Sequence, residues 1–143
     1  MNGLLDELLY YYYVHDKFQV NYLDEEEAKK YHQTLIEKNR ILTVFGEERL
    51  LGYAEFWNIN FEQLGRIICH EPFFIQKEDI ESGNIAYLSN TTIHPDHRRT
   101  EVYRELRTQF MNRNSHCDYF IGQALRKKHQ PIKVFKNKLK DKR

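Results

Sequence analysis

The stretch from Gly83 to Asn114 constrains the fold of this chain more than any other. Ile85, Tyr87, Ser89, Thr91 and Ile93 alternate with Ala86, Leu88, Asn90 and Thr92, a β-rich run of period two that predicts a strand. Pro95 has no N–H to give to a ladder, so the strand stops before it. From Arg98 onward Val102, Leu106 and Phe110, with Tyr103 and Met111 beside them, fall at helical spacing. A strand that passes through an arginine-rich turn into a helix N-terminus is a ready place for a phosphate.

A chain of 143 residues can bury a core without metal or disulfide support, and 1–143 reads as one domain. Within it, 1–40 carries two helices, 41–125 the sheet core and the motif helix, and 126–143 a basic helix and tail. With 41% hydrophobic and 14% aromatic residues, the composition excludes a disordered chain. No run approaches the roughly 20 apolar residues that a membrane helix needs. The start, MNGLLDELLYYYY, lacks the basic region of a signal peptide. Two cysteines, Cys69 and Cys117, make no secreted disulfide framework, so a cytoplasmic location is expected. Cys69-His70, His116-Cys117, His94 and His97 do not have the spacing of zinc ligands, and no metal is expected.

Charge is uneven along the chain. Nine basic residues stand against Asp141 between Arg126 and Arg143, a net +8 on a chain whose total is +1. Arg126, Lys127, Lys128, Lys133 and Lys136 are candidates to bind nucleic acid or an acidic partner; a solvated helix end with a lysine tail is the plainer alternative.

Taken in order, Gly3 to about Tyr13 reads as a helix with Leu4, Leu5, Leu8, Leu9 and Tyr12 on one side. A second helix is signalled by Asp24 as N-cap and Glu27 three residues on, with Ala28, Tyr31, Leu35 and Ile36 as its buried stripe. Ile41–Phe45 and Leu50–Ile59 read as strands joined by Gly46-Glu47-Glu48-Arg49. In the second of these, Tyr53, Glu55 and Trp57 share one face and Ala54, Phe56 and Asn58 the other. Glu55 is thus an acid in an aromatic-rich strand: a general base, a solvent-facing residue or an arginine's partner. Leu64–Cys69 extends the sheet in this reading, Asp118–Ile121 is a short strand, and Pro131 opens a helix carrying Ile132, Phe135 and Leu139.

This order, with IHPDHRRTEVYREL from Ile93 to Leu106, resembles the GNAT acetyltransferase superfamily. In that family a strand ending V-x-P continues R-G-x-G-x-G/A into a helix. Ile93, Pro95, Arg98, Val102 and Leu106 match the pattern, and PIKVFKNKLK is similar to the family's late helix. The resemblance implies an α+β fold, a central and mostly antiparallel mixed sheet flanked by helices and lacking the family's last strands. It implies acetyl-CoA as cofactor, contacted by Thr92, Ile93, Arg98, Arg99, Thr100, Val102 and Arg104, with Glu55 as base. Chains this small and divergent are similar to ones encoded by phages.

Against that pattern, Arg99, Glu101 and Tyr103 occupy the glycine and alanine positions that let backbone amides approach a pyrophosphate. The late-helix tyrosine acid aligns with Phe135, which has no proton to give. The implied function is binding of a protein or nucleic-acid partner over a degenerate acetyl-CoA site, with self-association through an exposed sheet edge. The alternative is an acetyl-CoA-dependent N-acetyltransferase acting on an amine.

Overall fold

A computed structural model of the chain describes residues 2–14, 24–68, 83–97, 101–122 and 133–138. Its elements are α1 (Asn2–Val14), α2 (Glu25–Glu37), β1 (Ile41–Phe45), β2 (Leu50–Ile59), α3 (Phe61–Ile68), β3 (Ile85–Ile93), a 3-10 turn (Pro95–His97), α4 (Glu101–Arg113), β4 (Tyr119–Gly122) and β5 (Lys133–Lys136). The strands form one five-stranded sheet in the order β1-β2-β3-β4-β5. β1 and β2 are antiparallel, β3 and β4 parallel, and β4 and β5 antiparallel. This is the expected mixed sheet with helices. By their internal contacts the residues divide into two compact units, 1–55 with 90–110 and 56–89 with 111–143.

In the first unit local chemistry and burial agree. The Asp24 carboxylate accepts from the Glu27 amide at 2.8 Å, capping α2 as its sequence predicts. At the other end Asn39 takes a left-handed backbone (φ 59°) and Arg40 N–H returns to the Leu35 carbonyl at 2.7 Å. Asparagine tolerates that conformation better than most residues, which closes the helix without glycine.

α4 and the N-terminal helices lie on opposite faces of β2. A Cβ added to Gly52 would meet Val102 of α4 at 2.9 Å. Tyr53, the next residue and so on the other face, stacks on Tyr11 of α1 and His32 of α2. β2 is buried from Gly52 to Ile59 without alternation. A solvent-facing Glu55 is therefore excluded. Gly52 is what admits α4: Gly52→Ala should cost about 1–3 kcal/mol, read by urea unfolding, because the new methyl overpacks a tight contact. Val102→Ala in the same chain should recover part of that loss, since it removes the atom the methyl meets.

The second unit departs from the sequence reading twice. Residues 64–68 belong to α3, not to the sheet. The Asn60 side chain accepts from the Gln63 amide at 2.8 Å, and the Gln63 side chain accepts from the Asn60 amide at 2.9 Å. This reciprocal cap starts a helix where apolar spacing alone suggests a strand.

The expected C-terminal helix is also absent over 133–136, where β5 pairs with β4 in the register Tyr119↔Lys136, Phe120↔Phe135, Ile121↔Val134 and Gly122↔Lys133. Asn137 decides this. Its amide N–H donates to Asp118 O at 2.8 Å, and its side chain donates to Cys117 O at 2.8 Å and Ser115 O at 3.0 Å. Three long-range bonds to one loop hold the segment extended. Phe135 therefore stands on a strand, and its match to a late-helix tyrosine does not hold. Pro131 lies outside the described residues.

Asn58 continues the polar core of this unit, donating to the Asn114 side chain at 2.9 Å and to Cys117 Sγ at 3.4 Å. Trp57 donates to Ser89 at 3.1 Å, and the Arg113 guanidinium sits 5.9 Å above the Phe56 ring.

Candidate functional site

The strand–turn–helix that dominates the sequence lies in the first unit from Asn90 onward. β3 ends at Ile93, as alternation predicts, and Thr92 and Ile93 are both buried. His94 N–H donates to Leu51 O at 2.8 Å, the last tie before Pro95. The turn then closes through His97 N–H to His94 O at 2.8 Å. Asp96 N–H donates to Nδ1 of His94 at 3.2 Å, so a neutral His94 ring carries its proton on Nε2. The His94 ring lies 6.4 Å from that of Tyr11 and 5.8 Å from that of His97. The Tyr11 hydroxyl donates to Leu50 O, and burial raises its pKa above the usual phenol value while Arg49 pulls the other way.

Among the expected cofactor residues, Thr92 and Ile93 close β3, while Val102 and Arg104 open α4. Val102 is buried against Gly52, and Arg104 is exposed. Arg98, Arg99 and Thr100 lie outside the described residues. Glu101 is the first residue of α4 and exposed, and Tyr103 is exposed as well. The helix start thus presents a carboxylate and a phenol to solvent.

Glu55 is 0% exposed and belongs to a cluster that the sequence did not announce. The Tyr31 hydroxyl donates to its Oε2 at 2.9 Å, and Nε2 of His32 stands 3.6 Å from its Oε1. His32, also 0% exposed, holds its Nδ1 at 2.8 Å from the carbonyl of Ala28. Its ring meets that of Tyr31 edge-on at 5.4 Å and that of Tyr53 at 6.5 Å. Tyr53 in turn accepts from the Asn90 side chain at 3.4 Å, and Asn90 accepts from Thr92 Oγ1 at 3.3 Å. The sequence reading places Tyr31 on the stripe of α2 but passes over His32. The available signal was its position four residues after Ala28, on the face that docks.

Of the basic residues proposed to bind nucleic acid or a partner, Lys136 is exposed at the end of β5 and Lys133 begins that strand. Arg126, Lys127 and Lys128 lie outside the described residues. Among the described residues no three His, Cys, Asp or Glu side chains gather as metal ligands, and no helix is long and apolar enough to cross a membrane.

No family profile and no curated protein sequence matches the chain. Solved structures do. The loading GNAT-like domain of CurA from Lyngbya majuscula superposes with a TM-score of 0.62 at 12% identity, over 89% of this chain and 63% of that one. The GphF GNAT-like decarboxylase, in complex with isobutyryl-CoA, gives 0.61 at 12% identity, over 85% of this chain and 62% of that one. A ribosomal-protein-alanine N-acetyltransferase from Brucella melitensis gives 0.50 at 17%, over 85% and 66%. The chain has the GNAT fold. It spans less than two thirds of the length of each of these three structures.

Proposed function

We propose that this is a GNAT-fold protein with an altered acyl-CoA site that works by binding a partner, with little or no acyl transfer. The observation that carries this reading is the start of α4, where Glu101 and Tyr103 are both exposed. Phosphate binding at a helix start depends on open backbone amides and a positive local field. A carboxylate there opposes the charge of a pyrophosphate, and a phenol takes up room beside it. The burial of Glu55 supports the same reading, since a base must reach the amine it deprotonates directly or through water. A reducing cytoplasm suits the buried thiol of Cys117.

Calorimetric titration with acetyl-CoA and with isobutyryl-CoA tests this. The expected result is no heat of binding at millimolar ligand. Micromolar binding that Arg98→Ala weakens at least tenfold would overturn the reading and restore the transferase alternative. Isobutyryl-CoA is included because the GphF structure holds it.

The partner is a nucleic acid or a protein. Deleting residues 126–143 is a poor test, since it removes β5 and Asn137 and with them the pairing of β4. Changing Arg126, Lys127, Lys128 and Lys136 together to Gln retains the strand. If the tail grips phosphates, this quadruple variant should lower RNA or DNA retention and flatten its salt dependence by about one unit of slope per lost phosphate contact. Unchanged retention points instead to a protein partner, paired through an outer strand of the sheet, β1 or β5.

A further inference from the structure

We propose that Phe61 and Tyr119, with Lys136 beside them, form a stacking site for the bases of a single-stranded nucleic acid. The site takes the nucleic-acid side of the proposed function and rests on that reading of the partner. All three residues belong to the second unit: Phe61 opens α3, Tyr119 opens β4 and Lys136 ends β5. Phe61 is 71% exposed, and its ring meets that of the half-buried Tyr119 at 6.2 Å and 69°, an edge-to-face contact. Tyr119 stands directly opposite Lys136 in the β4–β5 register, so their side chains share one face of the sheet, with Cβ atoms about 5 Å apart.

One exposed apolar ring on a surface needs no explanation. Two rings in contact beside a lysine are a different arrangement, because a nucleic-acid strand is a row of flat π faces joined by phosphates. Tyr119 braces Phe61 while most of that ring stays open, which is what a base needs to lie against it. Lys136 is exposed and adds positive charge on the Tyr119 side, where a phosphate of the same strand can follow. The carboxylates next to the two rings in sequence are answered. Arg66 pairs with Glu62 at 3.1 Å, and the Asn84 side chain donates to Asp118.

Charge selects the occupant. β5 lies within 126–143, where nine basic residues stand against Asp141, a net +8. A polyanion complements that segment, and a neutral apolar protein surface does not. The rings select strandedness. In a duplex each base face is covered by its neighbours, so an aromatic side chain on a protein surface reaches only unpaired bases. Every base has such a face, and little sequence preference is expected from stacking.

The test measures binding of the full chain, across salt, to an oligodeoxyadenosine strand of about 12 nucleotides and to an abasic strand of the same length and charge. The wild type should prefer the strand with bases. Phe61→Ala should lose about fivefold or more on that strand, with its salt slope unchanged, and nothing on the abasic one. Lys136→Gln should instead weaken both and lower the slope by about one. Phe61→Trp should keep the affinity, and the strand with bases, not the abasic one, should quench its indole fluorescence. That quenching decides the matter should Phe61→Ala fail to fold. If Phe61→Ala binds as the wild type does, or loses equally on both strands, the stacking site is overturned and the basic tail stands as the contact. If the wild type binds neither strand, the site falls together with the nucleic-acid partner, in favour of an acidic protein. Neither result bears on acyl-CoA binding, which the calorimetry reads separately.

Discussion

Gly83→Ala is expected to destabilise the protein by about 3 kcal/mol or more, the high end of overpacking. A Cβ at this position would lie 1.8 Å from the carbonyl oxygen of Ile59, 2.0 Å from its carbon and 2.4 Å from the nitrogen of Asn60. All three are backbone atoms, so no side chain can swing aside. The chain would have to move where β2 ends and where Asn60 caps α3, giving up the paired bonds between Asn60 and Gln63. In thermal unfolding the loss should lower Tm by roughly 10 °C, taking a few degrees per kcal/mol for a chain of this size. Gly65→Ala is the control. It has nothing within 4 Å and lies inside α3, where alanine should add about 0.5–1 kcal/mol. If Gly83→Ala unfolds within 1 °C of the wild type, the close approach of Gly83 to β2 does not exist.

Asn137→Ala carries the second large effect, a loss of about 2–4 kcal/mol. The residue is 2% exposed, and its side-chain nitrogen serves the carbonyls of both Ser115 and Cys117. Alanine leaves those carbonyls without that donor, and each buried acceptor so orphaned costs about 1–3 kcal/mol. The backbone bond from Asn137 N–H to Asp118 O remains, so β5 should weaken without being abolished. Amide hydrogen exchange reads this directly: protection across the β4–β5 ladder should drop several-fold while that of β1 and β2 is retained. Asn137→Asp is a sharper version. It keeps the shape but replaces the donor with an acceptor, and it should cost more than alanine if the two bonds to carbonyls are what matters.

These two positions show where sequence reading stops. Nothing around Gly83 in the sequence distinguishes it from an ordinary turn glycine; its constraint comes from Ile59, 24 residues away. Nor does Asn137 announce itself, since PIKVFKNKLK has apolar residues at helical spacing and a proline suited to a helix start. Its partners lie about 20 residues upstream and outweigh that local preference. The same holds for α3, where the apolar run is legible but the Asn60–Gln63 cap is what makes it a helix.

What the sequence determined by itself was local order. Alternation set β3, three apolar residues set α4, and Asp24 set the start of α2, because each depends on neighbours a few residues apart. The motif from Ile93 to Leu106 pointed to the GNAT fold, which the solved structures bear out. Tertiary structure alone decided the environment of Glu55. In a strand its side chain had three open fates: a general base, exposure or an arginine's partner. Only the docking of α2 on that face of β2 brought Tyr31 and His32 against it. Burial and partners depend on which elements meet, and the strand's own residues do not encode that.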